Sequence, residues 1–110
     1  MKVFISQPMN GRTAADIQTE REEIKGRIRE EFGADVEFIE SYFKDYNPTD
    51  GSIPIKYLSK SIEALADADL VYFAEGWDKA RGCRIENEIA IEYGLDVIES
   101  YKNYRRKRIK

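Results

Sequence analysis

Short apolar segments alternate with longer helix-patterned segments along this chain, and that alternation restricts its fold more than any other feature. The apolar segments are the predicted strands Lys2–Ser6, Val36–Ile39, Asp69–Ala74 and Asp96–Ile98. A β-α-β-α-β-α-β order predicts one parallel sheet with right-handed crossovers. We therefore expect an α/β protein, a three-layer sandwich with a four- or five-stranded parallel sheet of flavodoxin-like or Rossmann-like type. The predicted strand order is 2-1-3-4, with a switch point between strands one and three.

The intervening segments carry helix signals. Thr13 with Asp16 three residues later is typical of a helix start, and Gly33 is expected to end that helix. The second helix is predicted from apolar residues that step by three, four and three, namely Ile55, Leu58, Ile62 and Leu65. The long loop 41–54 before it is equally open to a functional role and to a purely connecting one.

Composition narrows the class of protein. The chain has 110 residues, which suits one compact domain, and 35% of them are charged. There is no apolar run long enough for a membrane span and no signal-peptide pattern at the N-terminus, so we expect no membrane association and a cytoplasmic location. A single cysteine, Cys83, agrees with a reducing compartment.

Missing residue types exclude several chemistries. There is no histidine, which rules out Ser-His-Asp catalysis and histidine-containing zinc sites, and one cysteine cannot form a thiolate cluster. The turn 7–13 matches neither a P-loop nor a dinucleotide-binding fingerprint. We therefore predict no metal and no cofactor, and we expect any chemistry to depend on carboxylates, hydroxyls, amides, tyrosines or basic side chains.

The C-terminal segment differs from the rest of the chain. Residues 100–110 contain six basic residues and no acid, whereas residues 1–99 carry a net charge of −9 (12 basic minus 21 acidic residues). We interpret residues 1–99 as the α/β domain and residues 100–110 as a basic tail. Such a tail is more typical of a solvated, frayed terminus, or of a segment that pairs with the acidic body, than of a nucleic-acid-binding segment, and we expect it to add little stability.

Glu86 is the residue with the clearest chemical potential. It falls in or just past the first turn of a helix that begins near Gly82, after an apolar strand, and Ala90 and Gly94 follow on its face at i+4 and i+8. Ligands of open α/β sheets bind at the carboxyl ends of strands, where this carboxylate would serve as a nucleophile or general base. The competing interpretation is that Glu86 only caps its own helix.

Two stretches resemble the nucleoside 2-deoxyribosyltransferase superfamily. Val3–Gly11 is similar to its first motif, a hydrophobic strand that runs into Gly-Pro-Met or Gly-Pro-Phe. The stretch from Gly82 through Glu86 to Gly94 is similar to its second, in which Gly precedes the catalytic Glu by four residues and Ala and Gly follow it by four and eight. The resemblance covers residues 1–99 and is strongest to small members that are frequent in phages and prophages.

The resemblance implies a mechanism and a site. Glu86 would attack C1′ of a 2-deoxyribosyl group, and an acid, either Asp78 or one of the loop residues Asp45 and Asp50, would protonate the leaving base. The implied substrate-binding residues are Ser6, Gln7, Pro8, Met9, Asn10, Arg12, Gly82 and Arg84. Arg12 or Arg84 would hold a 5′-phosphate if the substrate is a nucleotide. The implied partners are a small-molecule nucleoside or nucleotide and further copies of the chain in a homo-oligomer.

The chain departs from the family pattern at three places. Gln7 replaces the usual Gly before Pro8, Cys83 stands where Thr or Ser is common, and the family's second acid falls on Ala80, which leaves Asp78 as the nearest one. These departures keep two other hypotheses open. One is a non-catalytic nucleotide-binding module of the same fold, and the other is a nucleic-acid accessory protein that acts through its basic tail.

Overall fold

The computed structural model describes residues 1–43 and 45–110. The strands are β1 (Lys2–Ser6), β2 (Glu37–Ile39), β3 (Leu70–Phe73), β4 (Asp96–Ser100) and β5 (Arg105–Arg108). The helices are α1 (Ala14–Phe32), α2 (Ile53–Leu65) and α3 (Arg81–Glu92), and a short 3-10 turn, Trp77–Lys79, precedes α3. The predicted alternation is therefore confirmed, with element ends shifted by a few residues.

One sheet in the order β2-β1-β3-β4-β5 forms the middle layer. The pairs among β1 to β4 are parallel, which confirms the predicted order, and β1 lies between β2 and β3. The connection from β1 leads to β2 on one side of β1, and the connection from β2 passes back to β3 on the other side. The switch point therefore lies between the carboxyl ends of β1 and β3.

Side chains that alternate along each strand divide the core into two halves. On one face, Val3, Ile5 and Tyr72 pack against the α1 residues Ile24 and Ile28. On the other face the buried cluster unites strand residues with residues of α2 and α3, namely Phe4, Val71, Phe73, Val97, Leu65, Cys83 and Ala90. The protein is thus the expected three-layer sandwich, with α1 on one side and α2 and α3 on the other.

Helix ends follow local sequence. The Thr13 hydroxyl accepts a hydrogen bond from the Asp16 backbone N–H at 3.1 Å, as predicted for the start of α1. Gly33 ends α1 with φ near 112°, a conformation that favours glycine. The predicted apolar stripe of α2 is only partly buried, because Leu65 lies in the core whereas Ile55 at the other end is 63% exposed.

Of the two expectations for the C-terminal segment, pairing with the acidic body is confirmed and a frayed terminus is wrong. Residues 105–108 form β5, which pairs antiparallel with β4, and the Tyr101 N–H donates to the Tyr104 carbonyl at 2.8 Å in the connecting turn. Glu99 on β4 is 0% exposed, and its carboxylate contacts the guanidinium groups of Arg106 (3.8 Å) and Arg108 (3.3 Å). The basic strand is therefore held by a buried acid, which compensates for its low intrinsic strand preference.

Candidate active site at the carboxyl end of the first strand

Glu86 reaches across from α3 to β1 and does not cap its own helix. Its Oε1 accepts a hydrogen bond from the Ser6 hydroxyl at 2.7 Å, and the residue is only 6% exposed. Ser6 is the last residue of β1, so the pair joins the carboxyl end of this strand to the second turn of α3. The two positions are 80 residues apart in the chain, and the structure brings them together, with Glu86 within reach of the end of β1.

Burial dominates the electrostatics of this carboxyl group. Desolvation raises the pKa of Glu86 from 4.5 to about 7, although hydrogen bonds from the Ser6 and Ser61 hydroxyls favour the charged form. Ser61 lies on α2, so three elements supply the immediate surroundings of Glu86. A carboxyl group with this pKa exchanges its proton near neutral pH, which suits a general base, a general acid or a nucleophile.

Small residues allow α3 to lie close to the sheet. Ala90, one turn after Glu86, is fully buried, as its predicted position on the Glu86 face requires. Gly94 lies beyond the end of α3 and has φ near 74°, so it reverses the chain and does not contribute to that face. A Cβ on Gly82 would meet no atom within 4 Å, so sterics do not require glycine there.

Cys83 lies one turn before Glu86 and is buried beside Ser6. Burial raises the pKa of the Cys83 thiol to about 11, and the nearby Glu86 carboxylate adds to the rise, whereas the Ser6 hydroxyl opposes it. The thiol is therefore neutral at physiological pH and is a packing group in this site.

Gln7, which was predicted to line the substrate site, turns its side chain away from Glu86 and toward α1. Its side-chain amide donates to the Ile17 carbonyl (3.0 Å) and to Glu20 (2.9 Å), and its oxygen accepts from Arg21 at 3.2 Å. Neighbouring side chains on a strand point to opposite faces, and Ser6 occupies the Glu86 face. Gln7 therefore ties the loop after β1 to α1.

Arg21 is a buried charged residue that the sequence interpretation missed. Burial lowers the pKa of its guanidinium group, against the opposing effect of Glu40 and Glu22. Its Nη2 donates to the Ile39 carbonyl at 3.1 Å, so it joins the ends of β1 and β2 through α1. The available signal was its position four residues after Ile17 on the buried stripe of α1.

The remaining predicted binding residues are more dispersed. Arg12 donates to the Pro8 carbonyl (2.8 Å) and to Glu20 (2.9 Å), so it folds over the loop after β1 toward α1. In that loop Pro8 and Met9 are partly buried and Asn10 is exposed.

The predicted acids and the second arginine lie at the surface. Asp78 is exposed in the 3-10 turn, and the exposed Arg84 contacts its carbonyl at 3.5 Å. In the long loop Asp45 is exposed, and Asp50 forms an ion pair with Lys56 at 2.7 Å. None of these acids is described in contact with Glu86, so Ser6 and Glu86 form the assembled centre of the predicted site.

A cleft of about 590 Å³ lies on the α1 side of the sheet and is not lined by Glu86. Within residues 1–43 and 45–110, no group of three or more His, Cys, Asp or Glu side chains is arranged to hold a metal ion. No helix in this described part of the chain is both long and apolar enough to cross a bilayer.

A family model with the description "Domain of unknown function (DUF4406)" matches residues 1–99. The match ends within β4, so β5 follows the matched segment. No curated protein and no solved structure matches the chain.

Proposed function

The chain belongs to the DUF4406 family, and we propose that it cleaves the N-glycosidic bond of a 2-deoxynucleoside or its 5′-monophosphate, with Glu86 as the nucleophile. The observation that carries this proposal is the Glu86 carboxylate, buried at the switch point and oriented by the Ser6 hydroxyl at 2.7 Å. The similarity of both motifs to the nucleoside 2-deoxyribosyltransferase superfamily supports it independently.

In the first step a Glu86 oxygen forms a bond to C1′ as the bond from C1′ to the base nitrogen breaks. The bonding electrons move to the base, which takes a proton from an acid. Asp78 is the acid we propose, since it lies in the turn just before α3 and its side chain is exposed to solvent. The two products are a glycosyl ester of Glu86 and the free base.

In the second step water, or the nitrogen of another base, attacks C1′ and releases the Glu86 carboxylate, and Asp78, left as a carboxylate by the first step, takes the proton of the attacking group. Water gives hydrolysis and a second base gives transfer, with retention of configuration in both cases. The Ser6 hydroxyl holds the carboxylate in one orientation through both steps, and Ser61 adds a second hydrogen bond.

A phosphorylated substrate fits the surface next to α3. Within residues 1–43 and 45–110, the exposed guanidinium group of Arg84 makes one long contact, to the Asp78 carbonyl at 3.5 Å, and so retains donors for a phosphate. Arg12 already forms an ion pair with Glu20 and is therefore the weaker candidate for binding the phosphate. We further propose that the protein acts in the cytoplasm and that another copy of the chain helps to enclose the substrate.

The test is release of free base from a panel of deoxynucleosides and their 5′-monophosphates, followed by chromatography. Glu86→Ala should lose several orders of magnitude in kcat/KM, because the nucleophile acts on the transition state. Glu88→Ala is the matched control, since Glu88 is an exposed glutamate on the same helix. Unchanged turnover in Glu86→Ala would refute the assignment.

The pH profile gives a second test of the same residue. The nucleophile must be ionised, so kcat/KM should rise with pH through about 7, the pKa of Glu86. Ser6→Ala should move this limb to higher pH, because the Ser6 hydrogen bond lowers that pKa. A profile that does not respond to Ser6→Ala would contradict the proposed role of the hydroxyl.

A nucleotide-binding module is the second candidate, and one observation favours it. Glu86 is 6% exposed and does not line the cleft on the α1 side of the sheet, an arrangement that suits a structural role beside a binding site better than contact with a substrate. This alternative predicts saturable nucleotide binding without base release, and retained binding in Glu86→Ala.

A further inference from the structure

We propose that the cleft on the α1 side of the sheet is a second binding site, for a planar aromatic ligand that carries an anionic group, such as a nucleoside monophosphate. The cleft, of about 590 Å³, lies between α1, the carboxyl ends of β3 and β4, and the turn that leads to β5. This volume is typical of small-molecule sites. The proposal does not depend on catalysis by Glu86.

Two buried hydroxyl groups lie in this cleft, beside the apolar residues that pack on α1. Tyr72 is 2% exposed and Ser100 is 6% exposed, and the Ser100 hydroxyl donates to the Tyr72 hydroxyl at 3.0 Å. Two hydroxyl groups carry two protons, and one shared hydrogen bond uses only one of them. The other proton has no described acceptor among residues 1–43 and 45–110, so it is available to an acceptor atom of a ligand.

Stacked aromatic rings line the same cleft. The rings of Tyr101 and Tyr104 lie 4.7 Å apart with an angle of 15° between their planes, and Tyr104 is 61% exposed. Tyr101 also packs edge-on against the buried Trp77, which holds the inner ring in place. An exposed, preformed stack of this kind offers its outer face to a planar ring.

Basic side chains in the cleft can bind the anionic group of the ligand. Arg27, Lys102 and Arg105 line the cleft, and none of them forms an ion pair with a described acid. The Arg105 guanidinium lies 5.8 Å from the centre of the Tyr72 ring, next to the hydroxyl pair. An anionic oxygen placed there would meet both the guanidinium and the free hydroxyl proton.

The acidic side chains of the cleft can bind the hydrogen-bond donors of a ligand. Glu20 already accepts hydrogen bonds from Gln7 and Arg12, so its charge is largely compensated. Glu23 and Glu75 also line the cleft and can accept from amino or hydroxyl groups of a ligand. The cleft can therefore bind a ligand that has a planar ring, an anionic group and several N–H or O–H donors. A nucleotide has all three, whereas a simple anion has only one.

This site lies on the opposite face of the sheet from Glu86. Tyr72 belongs to the buried cluster that packs on α1, whereas Ser6 and Glu86 lie on the side of α2 and α3. A ligand in the cleft is therefore not the molecule that Glu86 would cleave, and the two sites can be tested separately.

The experiment is a titration of isotope-labelled protein with deoxyadenosine 5′-monophosphate, followed by backbone amide resonances. We expect shifts at Tyr104 and Arg105, with deoxyadenosine alone and inorganic phosphate alone each binding about tenfold more weakly. Shifts confined to Cys83 and Glu86 would overturn the inference and would leave the proposed function intact. Equal affinity for inorganic phosphate alone would also overturn it.

Variants of the cleft sharpen the test. Arg105→Ala should weaken binding about tenfold and Tyr72→Phe about fivefold. Lys110→Ala is the matched control, since it removes a positive charge from the same segment outside the cleft. Glu86→Gln should bind with unchanged affinity at Tyr104 and Arg105, without cleavage of the probe. Affinities that do not respond to Arg105→Ala and Tyr72→Phe would show that the cleft is not the site.

Discussion

Replacing Glu86 by glutamine should stabilise the protein at neutral pH and leave its stability unchanged in acid. The pKa of Glu86 is about 7 in the folded protein and near 4.5 when solvated. The difference between these pKa values corresponds to about 3 kcal/mol in the free energy of unfolding. Glutamine is nearly isosteric, can still accept from the Ser6 hydroxyl, and carries no charge to desolvate.

The direction of this pH dependence follows from the fact that the folded protein binds the Glu86 proton more tightly than the unfolded chain does. Below about pH 4.5 both states are protonated at this position, and the wild type has its full stability. Between about 4.5 and 7 the unfolded chain releases the proton first, so the stability of the wild type declines, and above about 7 the loss is complete. The Glu86→Gln variant lacks this decline.

Urea unfolding monitored by the fluorescence of Trp77, the single tryptophan, measures the effect. The free energy of unfolding of Glu86→Gln minus that of the wild type should be near zero at about pH 4 and should approach 3 kcal/mol at about pH 8. Glu88→Gln, at an exposed position of the same helix, should show little change. A constant difference across this range would refute the argument that burial sets the pKa of Glu86.

Two further predictions concern stability. Arg106→Ala combined with Arg108→Ala should lower the free energy of unfolding by about 1–3 kcal/mol, because it leaves the fully buried Glu99 carboxylate without its cations. Adding Glu99→Gln should restore most of this loss in urea unfolding, and no restoration would show that the arginines act through packing. Thr13→Ala should cost about 1 kcal/mol in thermal denaturation, through loss of the hydrogen bond from the Asp16 N–H. An unchanged Tm would contradict that role of the cap.

The parallel core was predictable because its signals are local and repeated. Each buried strand is a short apolar run, and Thr13 and Gly33 mark the ends of α1 through bonds and dihedral angles set by near neighbours. The strand order follows from the right-handed crossover rule once the elements are known.

The fifth strand was not predictable from such signals. Residues 105–108 are all basic and have no apolar alternation, so they match a solvated tail. Their partner is Glu99, a charged residue inside an apolar strand, and only the three-dimensional pairing shows that its burial depends on Arg106 and Arg108. The stability of this segment therefore rests on charge compensation between neighbouring strands, which no periodicity records.

The candidate site was predicted in part. The spacing around Glu86 singled out this carboxylate, and the structure places it in contact with Ser6, whereas its role in a substrate site stays a prediction. Alternation along β1 implies that Ser6 and Gln7 cannot both face Glu86, so the motif resemblance alone placed Gln7 on the wrong side of the sheet for contact with Glu86. Ser61 was missed because nothing near it in the chain marks α2 as a neighbour of α3.

Neither edge of the sheet favours pairing with a strand from another copy of the protein. The β2 edge offers only three residues, and the β5 edge presents a row of four basic side chains, which would repel an identical strand. Copies of the chain that associate must therefore meet through helices or loops, where α2 leaves Ile55 uncovered. The same repulsion protects concentrated protein from forming continuous sheets between molecules.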